Sequence, residues 1–142
     1  MSKTEKERKS PLVLIVDDDI TVRLLVRRCL EKVGFVVEEA SDGEKALSSF
    51  ENLHPDIVLL DVRMPGMDGF EVCEEIRKLP GGNLLPILMV TGLDDMESIN
   101  RAYEAGATDF ITKSVNWEVL SHHVRFILRA SQASSSSGRV NV

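Results

Sequence analysis

Four short apolar runs in this chain each end on a polar residue, and the stretches between the runs are long enough to be helices. Asp17, Asp18 and Asp19 follow Leu12-Val13-Leu14-Ile15-Val16. Asp61 follows Ile57-Val58-Leu59-Leu60. Thr91 follows Ile87-Leu88-Met89-Val90, and Lys113 follows Phe110-Ile111-Thr112. Strand-length runs alternating with helix-length stretches predict an α/β domain, because parallel strands are joined by helical crossovers. In an open parallel sheet, ligands bind outside the carboxyl ends of the strands, where the strand order reverses. Such a fold gathers an acidic cluster, a lone Asp, a Thr and a Lys into one crevice.

Strands are predicted over 12–17, 35–40, 56–61, 86–91 and 107–112. The first and third are near-continuous Val, Ile and Leu, as central parallel strands buried on both faces must be. The second carries Glu38 and Glu39 and suits an edge. A helix over 20–33 places Val22, Leu25, Val26, Cys29, Leu30 and Val33 on one stripe. The second helix opens with the capping-box pattern Ser41-Asp42-Gly43-Glu44 and runs to about Leu53. The third, 68–78, turns Phe70, Cys73 and Ile76 inward, and the fourth, 94–105, places Met96, Ile99 and Tyr103 on one side. The fifth, 116–130, turns Trp117, Leu120, Val124, Ile127 and Leu128 inward. Right-handed crossovers then put helices on both faces of a doubly wound sheet. Residues 1–10 read as a disordered polar lead, and 131–142 as a flexible Ser-rich tail or truncated linker. The folded unit is 11–130.

At 142 residues the chain suits one domain. Its net charge of −6 argues against direct nucleic-acid binding, which usually requires a basic patch. Cys29 and Cys73 have no metal-like spacing and read as small buried hydrophobes in a reducing compartment. The charged N-terminus lacks a signal-peptide pattern, and no apolar run approaches the roughly 20 residues needed to span a bilayer. The expectation is a cytoplasmic protein that does not enter membranes.

The chemistry of the crevice follows from its residue types. Carboxylates are hard oxygen ligands suited to Mg²⁺, which takes one or two of them together with waters and a phosphate oxygen. Asp17, Asp18 and Asp61 form that candidate site, while Asp19 suits the N-cap of the first helix. A carboxylate such as Asp61 can also act as a nucleophile and become an aspartyl-phosphate. The charge of that product needs neutralising, and Lys113 offers a point charge and Thr91 a hydroxyl donor.

With those residues in place, the chain resembles the receiver domains of two-component response regulators over about 11–130. The resemblance rests on Val16-Asp17-Asp18, on Leu60-Asp61-Val62-Arg63-Met64-Pro65-Gly66-Met67-Asp68-Gly69, on Met89-Val90-Thr91-Gly92, and on Gly106-Ala107-Thr108-Asp109-Phe110-Ile111-Thr112-Lys113. It implies a flavodoxin-like (βα)5 sheet in the order 2-1-3-4-5. It also implies that Asp61 accepts a phosphoryl group from the phosphohistidine of a sensor histidine kinase or phosphotransfer protein. Asp17, Asp18, Asp61 and the backbone carbonyl of Arg63 would hold Mg²⁺. Thr91 and Lys113 would contact the phosphoryl group, and Thr91 and Phe110 would move as the switch. The surface of the fourth helix, fifth strand and fifth helix would read out the state, through a homodimer or a fused output domain. The fifth-helix sequence Asn116-Trp117-Glu118-Val119-Leu120-Ser121-His122-His123 resembles receivers joined to cyclic-di-GMP domains. A protein of this kind catalyses its own phosphorylation and dephosphorylation and is not an enzyme for an outside substrate.

Three other readings compete. A Mg²⁺-dependent aspartyl-phosphate phosphatase would carry a general-acid Asp where this chain has Arg63. A flavodoxin-like cofactor binder would need a Gly- or Ser-rich phosphate loop where this chain has three acids. A pseudo-receiver that only docks partners would not need the full set of Asp17, Asp18, Asp61, Thr91 and Lys113. One departure keeps it open: the family lysine is usually followed by a cis proline, and here Ser114 follows. A cis bond before a non-proline costs about 3–4 kcal/mol, against about 0.5–1 before proline. Adjacent His122 and His123 point in different directions on a helix and make a poor chelate.

Overall fold

A computed structural model describes the backbone of residues 10–113 and 116–140, and side chains as far as residue 132. Ser114, and with it the geometry of the bond after Lys113, lies outside the described residues, as does the lead over 1–9. The elements run β1 (Leu12–Val16), α1 (Ile20–Lys32), β2 (Val36–Ala40), α2 (Gly43–Leu53), β3 (Ile57–Leu60), α3 (Gly69–Lys78), β4 (Ile87–Thr91), α4 (Met96–Glu104), β5 (Asp109–Thr112) and α5 (Trp117–Val140). All strand pairs are parallel and the sheet order is β2-β1-β3-β4-β5. The order reverses at β1, so β1 and β3 lie side by side at the switch point.

Successive side chains of a strand point to opposite faces, and here both faces are covered. Leu14, Val16, Val58, Leu60, Ile87 and Met89 pack against Ala46 and Phe50 of α2, Phe70, Cys73 and Ile76 of α3, and Ala102 of α4. Val13, Ile15, Ile57, Leu59, Leu88 and Val90 pack against Val26 and Leu30 of α1 and Leu120, Val124, Ile127 and Leu128 of α5. Every residue of β1, β3 and β4 is buried, while β2 at the edge buries only Val37 and Ala40. Helices α1 to α4 each open on an aspartate: Asp19, Asp42, Asp68 and Asp95 accept from the N–H of Thr21, Lys45, Glu71 and Ser98. Each such cap contributes about 1 kcal/mol.

The helices differ from expectation in several places. In α2 the cap is Asp42 rather than Ser41, since its carboxylate reaches the Lys45 N–H and leaves Ser41 outside the helix. In α1 only Val26 and Leu30 are fully buried; Leu25 and Val33 flank the contact line and remain exposed, and Cys29 is half-buried. In α4 the inward residue is Ala102, while Met96 and Tyr103 are exposed. This short helix thus meets the sheet through a small side chain, with Ile99 half-buried beside it. In α5 the backbone helix continues past residue 130 to Val140 through the Ser-rich segment expected to be a tail, which has no glycine or proline before Gly138. Among the described residues no helix is long and apolar enough to cross a membrane.

Helix α2 ends on His54 in the left-handed region, at φ 50° and ψ 63°, with its N–H donating to the Phe50 carbonyl. A Cβ is unfavourable there, and glycine is the usual occupant of this position. His54→Gly is expected to raise the stability to chemical denaturation by about 1 kcal/mol. A denaturation midpoint that falls would show that the imidazole makes a compensating contact.

Candidate functional site

The site is built where β1 and β3 end together. Both acids are the first residues past their strands, and the sheet still holds their backbones. The Asp17 N–H donates to the Ala40 carbonyl at 3.2 Å, and the Asp61 N–H to the Val16 carbonyl at 2.9 Å. The register therefore sets the two carboxylates next to each other. Asp17 is 3% exposed and Asp61 5%, whereas Asp18 is open to solvent. Carboxylate oxygens of Asp17, Asp18 and Asp61 lie within 4.8 Å of one another.

Lys113 reaches into this cluster from the end of β5. Its Nζ is 2.8 Å from Asp17 Oδ2 and 3.2 Å from Asp61 Oδ2. The second oxygen of each acid is held by backbone: Asp17 Oδ1 accepts from the Asp19 N–H, and Asp61 Oδ1 from the Val62 N–H. Burial pushes the Asp17 carboxyl above its ordinary value, opposed by Lys113 and the Asp19 N–H and reinforced by the charge of Asp61. Burial works against the charge of Lys113 too, but the two carboxylates outweigh it and hold the ammonium above its ordinary range. The cluster is thus a cation-seeking site with one cation of its own at its edge.

Thr91 is fully buried at the end of β4. Its carbonyl accepts the Lys113 N–H at 2.7 Å, so the two residues are neighbours across the β4–β5 pair. Its hydroxyl accepts from the Leu93 N–H at 3.4 Å. Phe110 is partly buried on the side of α2 to α4. The Arg63 side chain is exposed and lines a groove of about 730 Å³ with Phe70, Leu93, Asp95 and Arg101. The Arg101 guanidinium lies 4.5 Å above the Phe70 ring in that groove. The two histidines are not gathered into the acidic cluster: His122 is exposed and His123 half-buried.

One contributor was not evident from the sequence motifs. Arg23 of α1 donates from Nη1 to the Asp17 carbonyl at 2.6 Å and from Nε to Glu39 Oε1 at 2.9 Å. The other oxygen of Glu39 takes Arg27 Nη1 at 2.6 Å, and Arg27 Nη2 donates to the Val37 carbonyl. The signal available was an arginine pair four positions apart on α1 facing an acid on the polar edge strand.

Two measurements test this geometry. A Cβ at Gly69 would overlap the Asp61 carbonyl oxygen and crowd the Val62 backbone, and the Gly69 N–H donates to the Val62 carbonyl. Gly69→Ala is expected to destabilise the fold by about 1–3 kcal/mol through overpacking; an unchanged melting temperature would mean that α3 can shift freely. For Glu39, burial raises the carboxyl but the two guanidiniums outweigh it, holding it below the ordinary 4.5. A depressed carboxyl stabilises the fold above its unfolded value, and the contribution disappears as the pH falls through the folded one. The stability gap between wild type and Glu39→Gln should therefore be constant above pH 4.5 and close in more acid solution. A gap that widens on acidification would contradict the assignment.

Comparison with known proteins gives a consistent picture. Residues 13–125 match the response regulator receiver domain. The response regulator MprA of Mycobacterium sp. (strain KMS) is 43% identical over 117 residues, covering 82% of this chain and 50% of the relative. The probable transcriptional regulator ycf27 of Guillardia theta is 38% identical over 128 residues, covering 90% of this chain and 49% of the relative. The chain thus spans about half the length of these curated relatives. Among solved structures, the chemotaxis protein CheY4 of Vibrio cholerae superposes with a TM-score of 0.80 at 34% identity, covering 83% of this chain and 98% of that one. The chain belongs to the response regulator receiver domain family, the phosphoacceptor signalling domains of two-component systems.

Proposed function

We propose that Asp61 is the phosphoacceptor of this receiver and that Asp17, Asp18 and Asp61 hold Mg²⁺ beside it. The observation that carries the reading is the convergence of three carboxylates and one lysine at the β1–β3 switch point. An all-oxygen donor set, excess negative charge and one open member, Asp18, fit a hard divalent ion. The Arg63 carbonyl would add a backbone ligand. Bound there, the ion neutralises negative charge on the incoming phosphoryl oxygens.

The rest is done by the chain's own residues. The Asp61 carboxylate attacks phosphorus, and the P–N bond to the donor histidine breaks as the imidazole leaves with the bonding pair. Asp61 Oδ2 now faces Lys113, so a phosphoryl group built there meets the ammonium directly. Catalysis is then positioning plus electrostatics. The Thr91 hydroxyl turns from the Leu93 N–H towards the new oxygens, and Phe110 follows from its half-buried position on the adjacent strand. Receiver and donor, a histidine kinase or phosphotransfer protein, meet in the cytoplasm.

The readout surface of this scheme is α4-β5-α5. Met96 and Tyr103 on α4 and Val119 and Phe126 on α5 are exposed. The Tyr103 hydroxyl donates to Asp109 Oδ1, tying α4 to β5. A homodimer or a fused output domain would take this face. The probable transcriptional regulator among the relatives favours a transcriptional output over one in cyclic-di-GMP turnover. The complete set of acids and lysine, brought into contact, speaks against a pseudo-receiver.

Intact mass after incubation with acetyl phosphate tests the assignment. Wild type with Mg²⁺ should gain one phosphoryl group, and neither Asp61→Asn nor chelator-treated wild type should gain any. Stoichiometric labelling of the Asn variant would remove Asp61 as acceptor, and labelling in chelator would remove the metal.

A further inference from the structure

We propose that Arg23 is a positioning residue for the Mg²⁺-binding carboxylates, acting through the peptide that joins Asp17 to Asp18. The inference rests on the metal reading above and adds a residue to it. Arg23 Nη1 holds the Asp17 carbonyl at 2.6 Å, and that carbonyl belongs to the peptide between the two acids. The same guanidinium is anchored to Glu39 on β2 at 2.9 Å. The side chains of Arg23 and Glu39 are only 13% and 19% exposed, so water competes weakly for either bond. The brace thus runs from the neighbouring strand to the turn where β1 gives way to α1. It complements the Asp17 N–H, which is already bonded to Ala40 on β2. With both sides of Asp17 tied to β2, the plane of the following peptide is set, and with it the direction in which Asp18 leaves the backbone.

A metal ligand of short reach depends on such support. Asp18 is exposed, so its direction depends largely on the backbone that carries it. The N-cap at Asp19 fixes the far side of the turn, since Asp19 accepts from the Thr21 N–H. Arg23 fixes the near side. Lysine would not reproduce the brace: a guanidinium offers forked donors in one plane, which suits a carbonyl on one side and a carboxylate on the other.

Arg27 supplies the control within the same molecule. It bonds the other oxygen of Glu39 at 2.6 Å but ends on the Val37 carbonyl, away from the acidic turn. Removing it deletes a comparable ion pair without touching the Asp17–Asp18 peptide. The experiment is a calorimetric Mg²⁺ titration of the unphosphorylated chain, with melting curves alongside. Arg23→Gln should weaken Mg²⁺ binding about tenfold or more, and Arg27→Gln should stay within about twofold of wild type, the former being the usual loss when an outer-shell partner is removed. Should Arg23→Gln fail to fold, Arg23→Lys against Arg27→Lys carries the test, the former alone losing affinity. Wild type that binds Mg²⁺ with both glutamine variants equal to it, or equally weakened, overturns the proposal. Wild type that takes up no Mg²⁺ overturns the metal reading and this proposal with it.

Discussion

The interaction on which the structure turns is the meeting of Asp17, Asp61 and Lys113 beneath the surface. Two carboxylates, each 5% exposed or less, face one ammonium at 2.8 and 3.2 Å. Neither acid would be placed there for stability, because charges held away from water lose solvation that a single partner does not fully restore. Yet the sheet leaves them little choice, as β1 and β3 are adjacent and their last backbone bonds deliver both side chains to the same spot. The cluster persists because the strands beneath it are buried on both faces and cannot slide. One lysine for three acids leaves an excess of negative charge, and that excess suits the cluster to a divalent cation.

The same frame separates what must stay from what can move. The faces formed with α1, α2, α3 and α5 use large side chains, among them Leu30, Phe50, Phe70, Ile76 and Leu120. Helix α4 is attached differently, with Ala102 as its buried residue and Met96 and Tyr103 outside. β5 is partly exposed throughout. A short helix with a small apolar contact, next to a half-buried strand carrying Phe110 and leading to Lys113, is where a local charge event can shift an equilibrium at low energetic cost. The order of the elements thus places this edge of the sheet directly beside the acidic cluster.

Much of this was legible in the sequence, for identifiable reasons. Central strands announce themselves when every residue is apolar, as in Ile57-Val58-Leu59-Leu60, and polar residues that end such runs fall by geometry in one crevice. Asp17, Asp18, Asp61 and Lys113 came together as read. The orientation of α4 was not legible. Its apolar stripe of Met96, Ile99 and Tyr103 has helical period, but period gives a face without saying whether the sheet or a partner covers it. Leu25 and Val33 failed for a related reason, lying at the margins of a stripe wider than the contact. The cap at Asp42 shows that two candidate side chains in succession cannot be ranked by pattern alone.

Arg23 marks where motif reading stops and geometry begins. Its partners are a main-chain carbonyl and an acid on the edge strand, neither of which a spacing rule names. The same ion pair that closes α1 over β2 also ends on the peptide between two metal-binding candidates. In this arrangement stability and function share atoms. The Glu39 carboxylate anchors a guanidinium whose other end sets the acidic turn, so forces that hold the edge strand in the sheet also aim Asp18. Arg27, on the same acid and the same helix, reaches the Val37 carbonyl on the strand and Glu31 on its own helix, and not the acidic turn. Two arginines one helical turn apart thus divide the work between fold and site, and the division follows from which carbonyl each one reaches.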